Sequence, residues 1–347
     1  MAPSRSASEE RITATERSLV FKLEPTFRCN LECAMCPRFS SEDPHVDMAP
    51  DVYARIHDAM AAAFAVDFTG WGESMLHNGI YSMIRQATER GCQTHMTTNG
   101  TLLNEKNCQA LIDAGMSQLA VSIDGMSAET YDAIRTGARF ETVTDNVKRL
   151  SRLVRERRSS LELAIAFTIQ ESNAHELPLI AAWMSEVGAR VLHLKQLNVV
   201  SNADDWQRSF LKYRLHPIPR DGARMEHLEE AIQRTVTQCR AAGVQVFTPS
   251  ELPMNADLKG RHCIAAPLNS AYFSYEGMVS PCCHFGHHVS RYFEGRYYAP
   301  SALFFGDIRR QSFTEIWESP PFRAFREGFE KHDFPEACRT CYLLYGK

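Results

Sequence analysis

A chain of 347 residues with 44% hydrophobic and 23% charged residues has a globular composition and room for one large domain and a smaller one. Its net charge of −4 gives no global positive field to hold nucleic acid, and no run of 18 apolar residues offers a membrane span. The polar start lacks the apolar core of a signal peptide, so 1–18 reads as a disordered tail on a cytoplasmic protein. Without a secretion signal, eleven unevenly clustered cysteines point to metal binding rather than to a disulfide framework.

Short apolar runs then alternate with amphipathic segments. Runs at 19–23, 65–69, 93–97, 118–123, 161–169 and 191–196 predict six strands. After the first, a helix is expected to open at Pro50, which suits a first helical turn. After the third, one runs from an Asn104 cap to a stop at Gly115. Val143, Val147, Leu150 and Val154 recur at helical spacing after the fourth, and 174–187 reads as a helix stopped by Gly188. Strands each followed by a helix predict an α/β fold, here a partial (β/α)6 TIM-like barrel over 19–248. Within it, 198–224 is weakly periodic, contains Pro217 and Pro219, and is where substrate contacts are expected. A helix at 224–242 and a short strand at 244–247 complete the barrel segment. From Pro249 the rhythm stops, so 249–347 reads as a small C-terminal domain with a hairpin at 271–280, one helix near 313–329 and five cysteines. The densest basic run, within 148–158, reads as a solvated helix face and a cationic helix end.

Cys29, Cys33 and Cys36 form C-x3-C-x2-C directly after the first strand, where a barrel places its active site. Three thiolates so close in sequence hold one face of a cubic 4Fe–4S cluster and leave one iron open, whereas four would close it. A zinc site that recruits nearby His45 is the other reading.

The run Cys29-Asn30-Leu31-Glu32-Cys33-Ala34-Met35-Cys36 resembles the signature of radical S-adenosylmethionine (AdoMet, SAM) enzymes. Gly70-Trp71-Gly72-Glu73, Thr97-Thr98-Asn99-Gly100 and Ser122-Ile123-Asp124-Gly125 resemble that family's later elements, in order and at strand ends. The resemblance covers roughly 19–197. It implies that the open iron chelates AdoMet, that an electron cleaves it to a 5′-deoxyadenosyl radical, and that this radical takes a hydrogen atom from substrate. It places Gly72 and Glu73 at the AdoMet ammonium, Ser122 and Asp124 at the ribose hydroxyls, Arg135 at the AdoMet carboxylate and Met35 near the adenine. The plainer readings are a loop glutamate, a good turn at Asp124-Gly125, a surface arginine and a core methionine. Ser74 departs from the proline common after the glutamate, a change expected to alter loop stiffness and not chemistry.

Near the C-terminus, Cys263, Cys282, Cys338 and Cys341 resemble the ligands of the extension called SPASM, in its shorter twitch form. The Phe313-Thr314-Glu315-Ile316-Trp317 stretch fits the same extension. The resemblance implies one fully ligated auxiliary 4Fe–4S cluster, hence two clusters in all. A zinc ribbon, with His284, His287 or His288 in place of a cysteine, is the structural alternative. Cys92, Cys108 and Cys239 read as small buried residues. Cys283 is a fifth thiol beside Cys282. On an extended chain it points the other way, toward the barrel mouth, where it is a candidate hydrogen-atom donor or a quietly packed residue.

A fully ligated auxiliary cluster suits electron transfer, so the expected reaction is net oxidation of a small carbohydrate-like or natural-product precursor, as in twitch-type aminocyclitol dehydrogenases. Redox-neutral sugar epimerisation and modification of a ribosomal peptide are alternatives; a non-catalytic electron carrier is another. The expected partners are a small-molecule or peptide substrate and a reductant such as flavodoxin or ferredoxin, with neither nucleic acid nor membrane.

Overall fold

The computed structural model describes residues 17–197, 199–210, 222–248, 263–299 and 301–345. The expected tail up to residue 16, residue 198 and residues 211–221 of the expected substrate segment, and the boundary near Pro249 lie outside the described residues.

Six strands stand side by side in chain order and pair in parallel: β1 (Leu19–Leu23), β2 (Ala63–Asp67), β3 (Gln93–Thr98), β4 (Gln118–Ser122), β5 (Glu162–Ile169) and β6 (Val191–Gln196). The helices between them are α1 (Pro50–Ala59), α2 (Ile80–Glu89), α3 (Glu105–Asp113), α4 (Ala128–Ile134), α5 (Phe140–Glu156) and α6 (Ile180–Val187). After β6 come α7 (Ala203–Arg208) and α8 (Gly222–Ala241), then β7 (Gln245–Phe247), which joins β6 in parallel. The α/β barrel-like fold expected from the sequence is the observed one. Its local signals act as expected: Pro50 opens α1, Asn104 caps α3 by accepting from the Asn107 amide, and Gly188 ends α6 at φ +74°.

The second strand occupies Ala63–Asp67 and not 65–69; the Phe68 amide still donates to His95 of β3 at 2.8 Å before the chain turns into the loop. The segment 174–187 begins as a 3-10 turn, Ala174–Leu179, containing Pro178, before α6 proper. Both prolines of the late helix matter too: α9 (Phe313–Trp317) ends before Ser319, and α10 (Pro320–Glu330) starts afresh. Proline lacks the amide that would continue the ladder and disfavours helical geometry before it.

The C-terminal part grows onto the same sheet. β8 (Ser270–Phe273) pairs in parallel with β1, and β9 (Met278–Ser280) folds back on β8 as the expected hairpin. A ribbon of β10 (Arg291–Phe293) and β11 (Arg296–Tyr298) follows, and β12 (Gly306–Asp307) closes on β9. The short helices α11 (Glu336–Arg339) and α12 (Tyr342–Tyr345) end the chain. Phe21 of β1 packs against Phe273 at 4.9 Å and Phe313 at 4.7 Å, so one core spans the two parts.

Within the strands, Leu19, Phe21 and Leu23 are buried under helices, while Val20 and Lys22 alternate to the other face. Register places Lys22 beside Asp67 and Asp67 beside His95 across three strands, so this inner face carries charge. The basic run of α5 is a helix face tied by ion pairs: Lys148 to Glu186, Arg152 to Glu105 and Glu156, and Arg157 to Asp113, at 2.6–3.0 Å. No described helix is long and apolar enough to cross a membrane.

Candidate active site

A cavity of about 630 Å³ opens at the C-terminal ends of the strands. Cys29, Cys33 and Cys36 form one wall of it. Their loop is held in place by backbone bonds to the C-terminal end of α4 and the turn after it, from Ala34 to Ile134 and from Glu32 to Thr136, each 2.9 Å. The Arg38 guanidinium reaches back to the Leu31 carbonyl at 3.1 Å. Burial pushes the Cys36 thiol up to about 11 and raises that of Cys29 as well, so both stay protonated until a metal displaces the proton. His45, the ligand of the zinc reading, is exposed, contacts Arg38 and the Phe27 ring, and does not line the cavity.

Gly72 lies so close under this loop that a Cβ would stand 2.2 Å from the Thr26 carbonyl and 2.7 Å from that of Arg28. Only glycine lets the two loops cross there. The next amide, of Glu73, donates to the Arg28 carbonyl at 2.8 Å. Glu73 is 3% exposed and its carboxylate accepts from the Asn99 amide at 2.7 Å, the Thr98 hydroxyl at 2.8 Å and the Met75 amide at 3.2 Å. Burial raises its pKa while these donors work against the shift. A carboxylate has about four acceptor positions, so one remains for a ligand in the cavity. Ser74 supplies by another route the stiffness expected to go with a proline: its hydroxyl donates to the Phe68 carbonyl at 2.6 Å.

Arg135 and Ser122 also line the cavity. Asp124 is placed differently from its expected role at a ribose. It is fully buried behind Arg135, accepting from the arginine Nε at 2.6 Å and from the Thr168 amide at 2.6 Å. It therefore fixes Arg135, whose Nη1 lies 3.8 Å from the Cys33 sulfur. Met35 lines the cavity as expected for either of its readings.

The opposite wall was not anticipated from the sequence. His193 and Lys195 on β6 face the cavity, with Phe247 of β7 stacked on the histidine ring at 5.0 Å and 13°.

A second pocket is lined by Cys263, Cys282, Cys338 and Cys341, and otherwise by apolar side chains including Phe285, Phe325 and Leu344. Burial raises the Cys341 thiol to about 12 and raises those of Cys282 and Cys338 strongly as well. Leu343 lines both this pocket and the cavity, and Ile264, next to Cys263, lines the cavity. His284, His287 and His288 do not line the thiol pocket. Cys92, Cys108 and Cys239 are buried, as expected.

A family model of the radical SAM superfamily matches residues 23–167, and one of an iron–sulfur cluster-binding domain, SPASM, matches residues 263–342. This chain belongs to the radical SAM superfamily. Among similar proteins is the tungsten-containing aldehyde ferredoxin oxidoreductase cofactor-modifying protein of Pyrococcus furiosus, 25% identical, with 92% of this chain and 86% of the relative aligned. An AdoMet-dependent heme synthase of Nitratidesulfovibrio vulgaris is 26% identical over 92% of this chain and 83% of its own. A PqqA peptide cyclase of Granulibacter bethesdensis is 25% identical over 92% and 78%. Streptococcus suis SuiB, solved bound to S-adenosylmethionine, shares the fold at TM-score 0.67 and 16% identity, covering 95% of this chain and 72% of SuiB.

A radical SAM enzyme with this C-terminal domain takes AdoMet, a 4Fe–4S cluster in the barrel and an auxiliary cluster beyond it. The donor sets fit: three thiols on an open cavity wall in one case, four thiols converging in a closed apolar pocket in the other. Among the described residues no three His, Cys, Asp or Glu side chains stand close enough to hold a single metal ion. A cubic cluster, whose four irons each take one thiolate, spreads its ligands more widely. Arg291, missed by sequence reading, is 7% exposed and donates to the Ala337 carbonyl at 2.8 Å, which sets a cation beside these thiols.

A further group joins the two parts of this radical SAM chain. His287 Nδ1 lies 2.9 Å from Asp43, and its Nε2 lies 3.2 Å from Glu24 and 3.0 Å from the Tyr272 hydroxyl. Tyr272 donates to Glu24 at 2.8 Å, and Glu24 in turn accepts from the Trp71 amide at 2.7 Å. The Trp71 ring stacks on the imidazole at 4.3 Å. Burial alone would lower the His287 pKa, but Glu24 and Asp43 outweigh it and raise it to about 9. The imidazolium thus ties the loop after Cys283 to the loop that carries Gly72 and Glu73.

Proposed function

We propose that this enzyme removes a hydrogen atom from a substrate held in the barrel cavity and oxidises it by two electrons overall. The observation that carries the reading is the closed pocket of Cys263, Cys282, Cys338 and Cys341, separated from the cavity by Leu343. Four thiols leave no iron open for substrate, so a group bound there suits electron transfer. When bound, the clusters and AdoMet supply the hydrogen-abstracting radical and an acceptor for the second substrate electron. In this reading Cys29, Cys33 and Cys36 hold the barrel cluster. Gly72 and Glu73 receive the AdoMet ammonium, Arg135, fixed by Asp124, takes its carboxylate, and Ser122 meets the ribose. The substrate is a small molecule or a peptide, and a flavodoxin or ferredoxin supplies the reducing electron.

The test is anaerobic turnover with AdoMet, dithionite and deuterated candidate substrates. Oxidation predicts one 5′-deoxyadenosine, carrying substrate deuterium, for each oxidised product.

Cys283 favours a second reading, redox-neutral inversion. It lines neither the thiol pocket nor the cavity, and stands within electrostatic reach of Lys22, Glu24, Asp67 and Lys195. Burial raises its pKa, which keeps the S–H that a hydrogen-atom donor needs. Inversion predicts solvent deuterium at an inverted carbon of the product and its loss in Cys283→Ala. A Cys283→Ala enzyme with unchanged oxidised product leaves the oxidative reading alone.

A further inference from the structure

The cavity has two halves. The elements assigned to the cluster and AdoMet come from the ends of β1 to β4, while β6 and β7 supply the facing wall. On that wall His193 and Lys195 are two residues apart on one strand, so both side chains emerge on the same face, and both line the cavity.

Their charge is unbalanced. The other cation of the cavity, Arg135, is neutralised by buried Asp124. The Lys195 side chain is exposed to the cavity, and its ammonium has no hydrogen bond or ion pair to any described residue. The carboxylate that acts on it most strongly, Asp67, accepts from the Thr69 hydroxyl at 2.5 Å and stands in register with a second lysine, Lys22. Desolvation lowers the Lys195 pKa, against the pull of Asp67 and Asp124, which raise it. It lowers that of His193 as well, with Lys195 adding to the effect, so the imidazole is neutral and offers one N–H.

We propose that Lys195 and His193 form a carboxylate seat, and that the substrate is an organic acid or an acidic peptide group anchored there. One ammonium and one neutral N–H match a monoanion. A phosphate ester, nearly a dianion, calls for further cations that this wall does not present among the described residues. The seat faces the AdoMet half across the cavity and lies within electrostatic reach of Cys283. The assignment rests on the radical reading above and names the class of substrate for it.

The test uses the reconstituted holoenzyme with AdoMet and dithionite. The probes are benzoate against benzamide, succinate against succinamide, a tripeptide with free against amidated C-terminus, and phenyl phosphate. The rate of 5′-deoxyadenosine formation and the spectrum of the reduced cluster are followed for each. Acids are expected to act at concentrations at least about ten-fold lower than their amides, the worth of one charge-assisted bond. Lys195→Met should erase that preference, and Lys195→Arg should keep it. The seat is overturned if acids and amides act alike, if phenyl phosphate outperforms the acids, if no acid perturbs either readout, or if Lys195→Met lowers AdoMet affinity instead. A wild-type enzyme that forms no 5′-deoxyadenosine at all counts against the radical reading itself, which is a separate failure.

Discussion

The two cysteine sites are built in opposite ways. Cys29, Cys33 and Cys36 lie on one short loop that forms a wall of an open, partly polar cavity, with Asn99 and Arg135 among their neighbours. Cys263, Cys282 and the Cys338–Cys341 pair come from three separate segments and close an apolar pocket beside Leu343 and Leu344. An open wall leaves room for a ligand to reach metal. A sealed pocket keeps one out and lowers the local dielectric, which suits a group that only exchanges electrons. The same residue type therefore serves two purposes, and the difference lies in how many thiols converge and what surrounds them.

Emptying either site is the strongest way to break that contrast. The reconstituted protein should hold about eight irons, and Cys29, Cys33 and Cys36 all changed to alanine should leave about four and abolish AdoMet cleavage. Changing Cys338 and Cys341 to alanine should also remove about four irons, yet spare AdoMet cleavage while blocking oxidised product. Full iron content in the first variant would refute the ligand assignment.

The contrast also depends on the buried clasp between the two regions. Truncating one partner of a buried ion pair costs roughly 3–5 kcal/mol, so His287→Gln should lower the unfolding free energy by about that much near neutral pH. His287 is raised from an ordinary 6.5 to about 9, so its stabilising contribution is complete below 6.5 and disappears as pH rises through 9. Wild-type stability should therefore fall across that interval. Denaturant titrations at several pH values check this: an equal slope in His287→Gln would remove the clasp from the account.

Smaller changes sharpen the open site alone. Glu73→Ala should weaken AdoMet binding by about 1.5–3 kcal/mol, read by titration of the holoenzyme, with iron content preserved. Ser74→Ala, which deletes one buried bond to the Phe68 carbonyl, should cost about 1 kcal/mol of stability with little effect on AdoMet affinity. A larger loss of affinity from Ser74→Ala than from Glu73→Ala would reverse their roles.

The sequence by itself determined what short stretches encode. Alternating apolar runs set the order of β1 to β6, Asn104 and Gly188 set helix ends, and the spacing of Cys29, Cys33 and Cys36 placed three thiols on one loop after β1. These are local consequences of backbone geometry, so proximity along the chain is enough to read them. Proline effects near Pro178 and Pro320 were legible too, but a helical pattern read across them hid the break.

Tertiary structure decided the rest, because it joins groups that no spacing connects. Asp124 reads as a turn residue until Arg135 and the Thr168 amide are seen to occupy its carboxylate. His287 reads as a loop histidine until Glu24, more than two hundred residues earlier, stands 3.2 Å away with both side chains buried. Nothing in the sequence singles out Lys195, one polar residue of an expected strand. Only closure of the barrel sets it on the cavity wall, beside His193 and opposite the AdoMet half, where the proposed acid would meet it.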